Sequence, residues 1–251
     1  MSGSWKHPGR TGAIVYGVLA SIIGGLLTVV SRMQMERQRG RRRVAEALPD
    51  GGVIVIANHT SYADGFLLAL ICRRMGRPLR LLATAGVFRL PVAGRLARRV
   101  GFIPVQRGTA TAGAALEPAI EALALGEAVG LFPEGRTTRH PEQWPERART
   151  GVVRLAVRSG APVVPVAMVG AHRVIARRRI VSRLMFNVVL RPRVSVAVGD
   201  PIDVGALLSR SQLDDADALR AATDAVMAEL VSLVAGVRRE VAPDPIGVEP
   251  A

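Results

Sequence analysis

Residues 54–65, IVIANHTSYADG, decide the fold. A short apolar run rich in β-branched side chains ends abruptly at Asn58. A histidine and an aspartate then follow five positions apart, with Thr60, Ser61, Tyr62 and Ala63 between them. Such a run predicts a buried strand, and the DGFLLALICRRM beginning at Asp64 carries apolar residues at helical spacing. On one continuous helix, residues five apart lie about 140° round the axis, so His59 and Asp64 cannot cooperate there. They can if the strand ends near Ala57, the chain turns through residues 60–62 and a helix starts near Asp64. The carboxylate then returns beside the imidazole at the carboxyl edge of a sheet, where open α/β folds place their sites.

Working outward, the same alternation continues along the chain. LRLLAT (79–84), FIPV (102–105), AVGLF (128–132) and PVVPVAMV (162–169) read as strands, and RVSVAVGDPID (193–203) as one more. Residues 114–126, 146–160 and 213–240 read as helices, the last with acid at its start and arginines at its end, as the helix dipole prefers. This pattern predicts an α/β domain with a mostly parallel sheet flanked by helices. Its expected extent is 49–240, with a disordered tail over 241–251.

Residues 11–31, TGAIVYGVLASIIGGLLTVVS, carry no charge over about 20 residues, the length needed to cross a bilayer core. That length fits a spanning helix, and the internal glycines fit equally a helix lying in the interface. The basic flank at 32–43 is unlike a cleavage site, and it outweighs Lys6 and Arg10 on the other side. By the positive-inside rule the rest of the chain lies in the cytoplasm. Residues 1–48 are thus expected to form a hydrophobic membrane helix with a basic membrane-proximal segment.

Charge points the same way. The 251 residues carry a net charge of +14, which calls for a polyanionic partner or surface. Arginines cluster at 37–43, 95–99 and 173–183, always beside apolar segments, an interleaving suited to anionic lipid. Nucleic acid is not expected: stacking aromatics, zinc spacing and a helix-turn-helix pattern are all missing. The single cysteine, Cys72, excludes an internal disulfide, and its LALICRRM context reads as a buried helix face.

A His59–Asp64 pair supplies half of the serine-hydrolase arrangement: the carboxylate fixes the imidazole tautomer and the free nitrogen takes a proton from a hydroxyl. That hydroxyl would belong to the substrate, because no G-x-S-x-G elbow offers an enzymatic serine. From these residues alone the alternative stands equally well, with Asp64 a helix N-cap and His59 a satisfied histidine at a strand end. A metal site has little support, since His7, His140 and His172 show no ligand spacing relative to His59. Two further segments fall just after strands, and so at the same sheet edge. GFIPVQR offers Arg107, and LFPEGRTTR offers Glu134, Gly135 and Arg136. An arginine there presents a planar fork suited to phosphate, and a glycine lets backbone amides approach an anion.

With these residues in view, the chain resembles the glycerolipid acyltransferases of the 1-acylglycerol-3-phosphate acyltransferase type. Asn58, His59 and Asp64 match the N-H-x-x-x-x-D block; Gly101, Ile103 and Arg107 match G-x-I-x-x-x-R. Phe132, Pro133, Glu134 and Gly135 match F-P-E-G, and Val164, Pro165 and Val166 match the V-P-V strand. After Gly135 the chain departs from the usual Thr-Arg-Ser, reading Arg136-Thr137-Thr138-Arg139, which favours Arg136 over Arg139 as the phosphate ligand. Where the family commonly has Phe-Lys-x-Gly, Arg149-Thr150-Gly151 keeps the charge and loses the aromatic. The resemblance implies acyl transfer from acyl-CoA or acyl carrier protein to the hydroxyl of a lysophospholipid, with His59 as base and Asp64 as its orienting partner. It implies that Arg107, Glu134, Gly135 and Arg136 hold the acceptor, and that no metal or cofactor is required. Glycerol 3-phosphate, other lysophospholipids and amino-acid or sugar lipids share the His and Asp block, so the acceptor stays open.

Overall fold

The computed structural model describes residues 5–35, 48–61, 63–105, 116–174 and 180–241. Arg107 and residues 242–251 of the expected tail lie outside them. Strand β2 (Val53–Ala57) runs through the centre with all five residues buried. Its side chains alternate. Val53, Val55 and Ala57 join one core cluster, and Ile54 and Ile56 join another on the opposite face. Both faces are covered, which explains why the run is continuously apolar rather than alternating.

β2 belongs to a seven-stranded sheet whose other strands are β1 (Arg32–Met35), β3 (Leu79–Thr84), β4 (Ile103–Val105), β5 (Ala128–Leu131), β6 (Val163–Val169) and β7 (Arg193–Val198). The order is β1-β7-β6-β2-β5-β3-β4, and every pairing is parallel except β6 with β7. The expected mostly parallel sheet flanked by helices is thus observed. Pro165 sits inside β6, where a missing N–H is usually costly. Its carbonyl accepts from Gly199 at 2.7 Å, so its nitrogen also faces the β7 side, at the end of that ladder, where little pairing is lost.

Helices cover the two faces. On one lie α1 (Gly9–Val30), which contributes Tyr16, Leu27 and Val30, and α2 (Asp64–Arg74), which contributes Leu67, Leu68 and Ile71. On the other lie α5 (Glu117–Ala124), α6 (Gly151–Ser159) and α9 (Ala216–Val241). Each fully buried Ile, Leu or Val side chain contributes roughly 1.5–3 kcal/mol of burial. The smaller α3 (Ala85–Arg89), α4 (Pro91–Arg99) and α7 (Ala171–Val174), with α8 (Ile180–Leu190), complete the chain.

Several elements differ from the sequence reading. The helix expected over 146–160 begins only at Gly151, because the segment before it is tied to another loop. The amide of Glu146 donates to the Glu134 carboxylate, and that of Arg149 to the Pro133 carbonyl. Residues 32–35, expected as membrane-proximal flank, form β1 beside β7. Met33 and Met35 turn toward the core, while Arg32 and Gln34 face out. The apolar segment at 11–31 is helical as expected, and it lies along the domain.

Candidate active site

β2 ends at Ala57, and Asn58 extends its contact with β6 through its side chain. The amide nitrogen donates to the Met168 carbonyl at 2.9 Å, and its oxygen accepts from the Met168 amide at 2.8 Å. The chain leaves the sheet at His59 with its direction fixed. Both backbone groups of His59 are then clamped to the loop after β5: its amide donates to Glu134 Oε1 at 3.0 Å, and its carbonyl accepts from Thr138 at 2.6 Å.

The turn brings Asp64, in the first turn of α2, back beside the imidazole. His59 Nδ1 lies 3.0 Å from Asp64 Oδ2, the same oxygen that accepts the amides of Thr60 (2.5 Å) and Ser61 (2.7 Å). Asp64 is fully buried, whereas the His59 side chain keeps 18% exposure. The N-cap position of α2 is Ala63, so Asp64 braces the turn ahead of the helix and does not cap its end. Since a carboxylate oxygen only accepts, Nδ1 carries the proton and Nε2 is left as the basic nitrogen. The ring stacks on Phe132, centroids 4.1 Å apart and nearly parallel.

Glu134 faces inward. Its Oε1 takes the His59 amide and its Oε2 the Glu146 amide, both at 3.0 Å, and the residue is buried. Burial pushes its carboxyl above the ordinary range, while those two amides and the nearby His59 draw it back. Gly135 turns the chain with φ +70°, and its amide closes the turn on the Phe132 carbonyl at 2.9 Å. A Cβ there would meet Arg149 Nε at 3.1 Å, so the glycine lets Arg149 lie across the turn. Arg136 pairs with Glu146 at 3.2 Å and stays half exposed.

His59 lines a cavity of about 760 Å³. Its lining includes the apolar side chains of Leu81, Leu82, Phe102, Leu131, Phe132 and Leu155. It also includes Arg136, Arg149 and Arg154 with Gly135, and among the described residues no aspartate or glutamate lines the space. Arg139 does not reach it. Of the residues singled out from sequence, His59, Asp64, Glu134, Gly135 and Arg136 therefore come together. Arg107 lies outside the described residues, although β4 ends two positions earlier at Val105, which lines the cavity. Arg154, and Glu146 as a brace, were not legible, because both reach the site through contacts without sequence periodicity. Among the described residues no group of three or more His, Cys, Asp or Glu is placed to hold a metal ion.

The sequence model of the acyltransferase family matches residues 37–169, a stretch that contains the His59–Asp64 turn and the 132–135 loop. The chain belongs to the acyltransferase family. This chain is 26% identical over 132 residues to a chloroplastic 1-acyl-sn-glycerol-3-phosphate acyltransferase of Brassica napus, covering 51% of this chain and 37% of that protein. It is 33% identical over 129 residues to a lyso-ornithine lipid O-acyltransferase of Pseudomonas aeruginosa, covering 50% and 46%. The matches thus span under half the length of these relatives. The crystal structure of the 1-acyl-sn-glycerophosphate (LPA) acyltransferase PlsC from Thermotoga maritima superposes with a TM-score of 0.62 at 22% identity. That likeness covers 92% of this chain and 81% of the other, and it establishes a common fold.

Proposed function

We propose that the protein transfers a fatty acyl group from acyl-CoA or acyl carrier protein to the free hydroxyl of lysophosphatidic acid, giving phosphatidic acid. The observation that carries this reading is the His59–Asp64 pair at the wall of a cavity lined by apolar side chains and three arginines. In this scheme His59 Nε2 takes the proton of the acceptor hydroxyl as its oxygen attacks the thioester carbonyl. The tetrahedral oxyanion collapses, the C–S bond breaks, and the departing thiolate recovers the proton from the imidazolium. Asp64 holds the tautomer and stabilises the transient positive charge. No metal or bound cofactor enters the sequence of steps.

The acceptor's phosphate belongs at the arginines, with Gly135 and Arg136 at the turn, Arg149 across it, and Arg107 from the segment after β4. Glu134 acts from behind as a positioning residue, because both its oxygens are occupied by backbone amides. The enzyme works at the cytoplasmic face of an anionic membrane, with α1 as its anchor. A second reading, an amino-acid lipid as acceptor, draws on the 33% identity to the lyso-ornithine lipid enzyme.

The deciding experiment presents purified protein with oleoyl-CoA and a panel of lyso-acceptors and follows free thiol. Release that depends on lysophosphatidic acid, with phosphatidic acid formed in equal amount, is the expected result. Release dependent only on lyso-ornithine lipid moves the assignment to the second reading, and release without any acylated lipid overturns both.

A further inference from the structure

Among the described residues, two helices that pack together, α1 and α8, each carry an uncovered apolar surface. On α1 the stripe Ile14, Val18, Ile22, Leu26 and Val29 is exposed. On α8, Met185, Phe186, Val188, Val189 and Leu190 are exposed, Val189 to 82%. The two helices pack together, and Arg191, just past α8, donates to the Thr28 carbonyl near the end of α1 at 2.7 Å. α8 is itself fastened to the domain, since Asn187 is buried and donates to the carbonyls of Arg173 and Val174 at 2.9 Å. Large exposed apolar side chains gathered on two helices that pack together mark an interaction site.

Charge selects the occupant. The segments that carry the patch, residues 1–35 and 171–199, contain ten lysines and arginines and no aspartate or glutamate. Among the described residues of these segments the charged side chains are Lys6, Arg10, Arg32, Arg173, Arg191 and Arg193, all cations, which with the apolar face makes a surface complementary to an anionic bilayer.

The packing of α1 decides how it meets that bilayer. The domain holds it along its length. A Cβ at Gly12 would stand 2.6 Å from the Arg99 carbonyl, and Gly24 packs on Leu70. Tyr16 donates to the Ala69 carbonyl at 3.0 Å and accepts from the Leu79 amide at 3.1 Å, both within the core. The Arg73 guanidinium lies over Gly17, near the helix midpoint. If α1 crossed the membrane in this packing, Arg73 would sit near the bilayer centre, at a cost of several kcal/mol. Laid in the interface, the stripe enters the acyl boundary while Arg73 and the domain stay at the headgroups. α8, with 11 residues, is about 16 Å long and too short to span the roughly 30 Å core.

We propose that α1 and α8 form one monotopic docking surface, which lies in the plane of an anionic membrane with the exposed stripe of α1 and the last two turns of α8 immersed. This rests on the reading of the protein as a membrane-lipid enzyme. It adds that α1 does not span, and that the second immersed element comes from a part of the sequence some 150 residues away.

The test uses the full chain with single cysteines at Val18, Val189 and, on the opposite face of the sheet beside Leu208, Leu207, each carrying an environment-sensitive fluorophore. Native Cys72 is buried and stays unlabelled. On phosphatidylcholine vesicles containing phosphatidylglycerol, the probes at positions 18 and 189 should both shift to the blue and be quenched by shallow nitroxide lipids, while the probe at 207 stays in water. Phe186→Ser with Val189→Ser should lower the vesicle partition coefficient at least tenfold with an unchanged circular dichroism spectrum. Quenching at 18 by deep nitroxides alone, with 189 in water, means a spanning helix and overturns the proposal. Concentration-dependent shifts without vesicles point to a second copy as the occupant and overturn it equally. Thioester turnover on a detergent-dispersed acceptor is measured in parallel. Turnover with position 189 in water sinks the docking surface alone, and immersion without turnover sinks the catalytic reading alone.

Discussion

Asp64→Asn isolates the step on which the mechanism depends. Asp64 Oδ2 accepts three hydrogen bonds, from His59 Nδ1 and from the amides of Thr60 and Ser61, and the side chain is fully buried. Because all three donors meet that one oxygen, asparagine with its own oxygen in that place keeps the two amides and the Nδ1–H tautomer, and its NH2 takes the place of the other carboxylate oxygen. What the substitution removes is the negative charge that faces the imidazolium as the hydroxyl is deprotonated. A hydrogen bond to a charged group is worth about 1.5–3 kcal/mol, so we expect a loss in kcat on the order of 10- to 100-fold. The lost charge on the amide bonds lowers stability by about 1–3 kcal/mol, which a thermal melt separates from the catalytic effect. The assay is steady-state thiol release with oleoyl-CoA and lysophosphatidic acid, for Asp64→Asn, for His59→Ala and for the double variant. Because Asp64 acts through His59, its substitution in the His59→Ala background should add almost nothing. A kcat equal to the native value, or losses that multiply in the double variant, would refute this reasoning.

Gly135→Ala places a Cβ at φ +70° and 3.1 Å from Arg149 Nε. We expect a stability loss of about 1–2 kcal/mol and a raised KM for the acceptor, and an unchanged KM would remove Arg149 from the acceptor site. Glu134 has a folded-state pKa raised above its ordinary 4.5 by burial, so the folded protein binds its proton more tightly. Its contribution to stability therefore falls as pH rises from 4.5 through the raised value, and melting curves of Glu134→Gln should lack that descending component. Burial pushes the Cys72 thiol up to about 12, so iodoacetamide near neutral pH should leave it unmodified until the chain unfolds, and labelling of the native protein would contradict its placement in the core.

Where the sequence carried a period or a tight turn, the fold could be read from it. The continuous β-branched run at 53–57 can only be a strand covered on both faces, and the polar break at Asn58 requires a turn before α2. The His59–Asp64 contact followed from that turn, since residues five apart meet only across one. Long-range clamps left no such trace. Glu134 reaches the His59 amide across 75 positions, and Glu146 is recruited to the same loop, which shortened the helix expected from 146. α8 was hidden for another reason: its first residues continue the arginine cluster at 173–183, and that charge pattern conceals the start of the helix. β1 was hidden because its four residues lie between the uncharged segment at 11–31 and the basic run at 37–43, too short to show a period, and only the partner strand β7 reveals the pairing.

The central claim, that His59 deprotonates a lipid hydroxyl for direct attack on a thioester, is tested most directly by product stoichiometry. Radiolabelled oleoyl-CoA and lysophosphatidic acid are incubated with native protein and with the His59→Ala variant, and acylated lipid, free CoA and protein-bound acyl are measured together. The mechanism gives phosphatidic acid and CoA in equal amounts with no label on the protein, and no product above a few per cent of native from the variant. Substantial product from the variant, or acyl label retained on the protein during turnover, would contradict it.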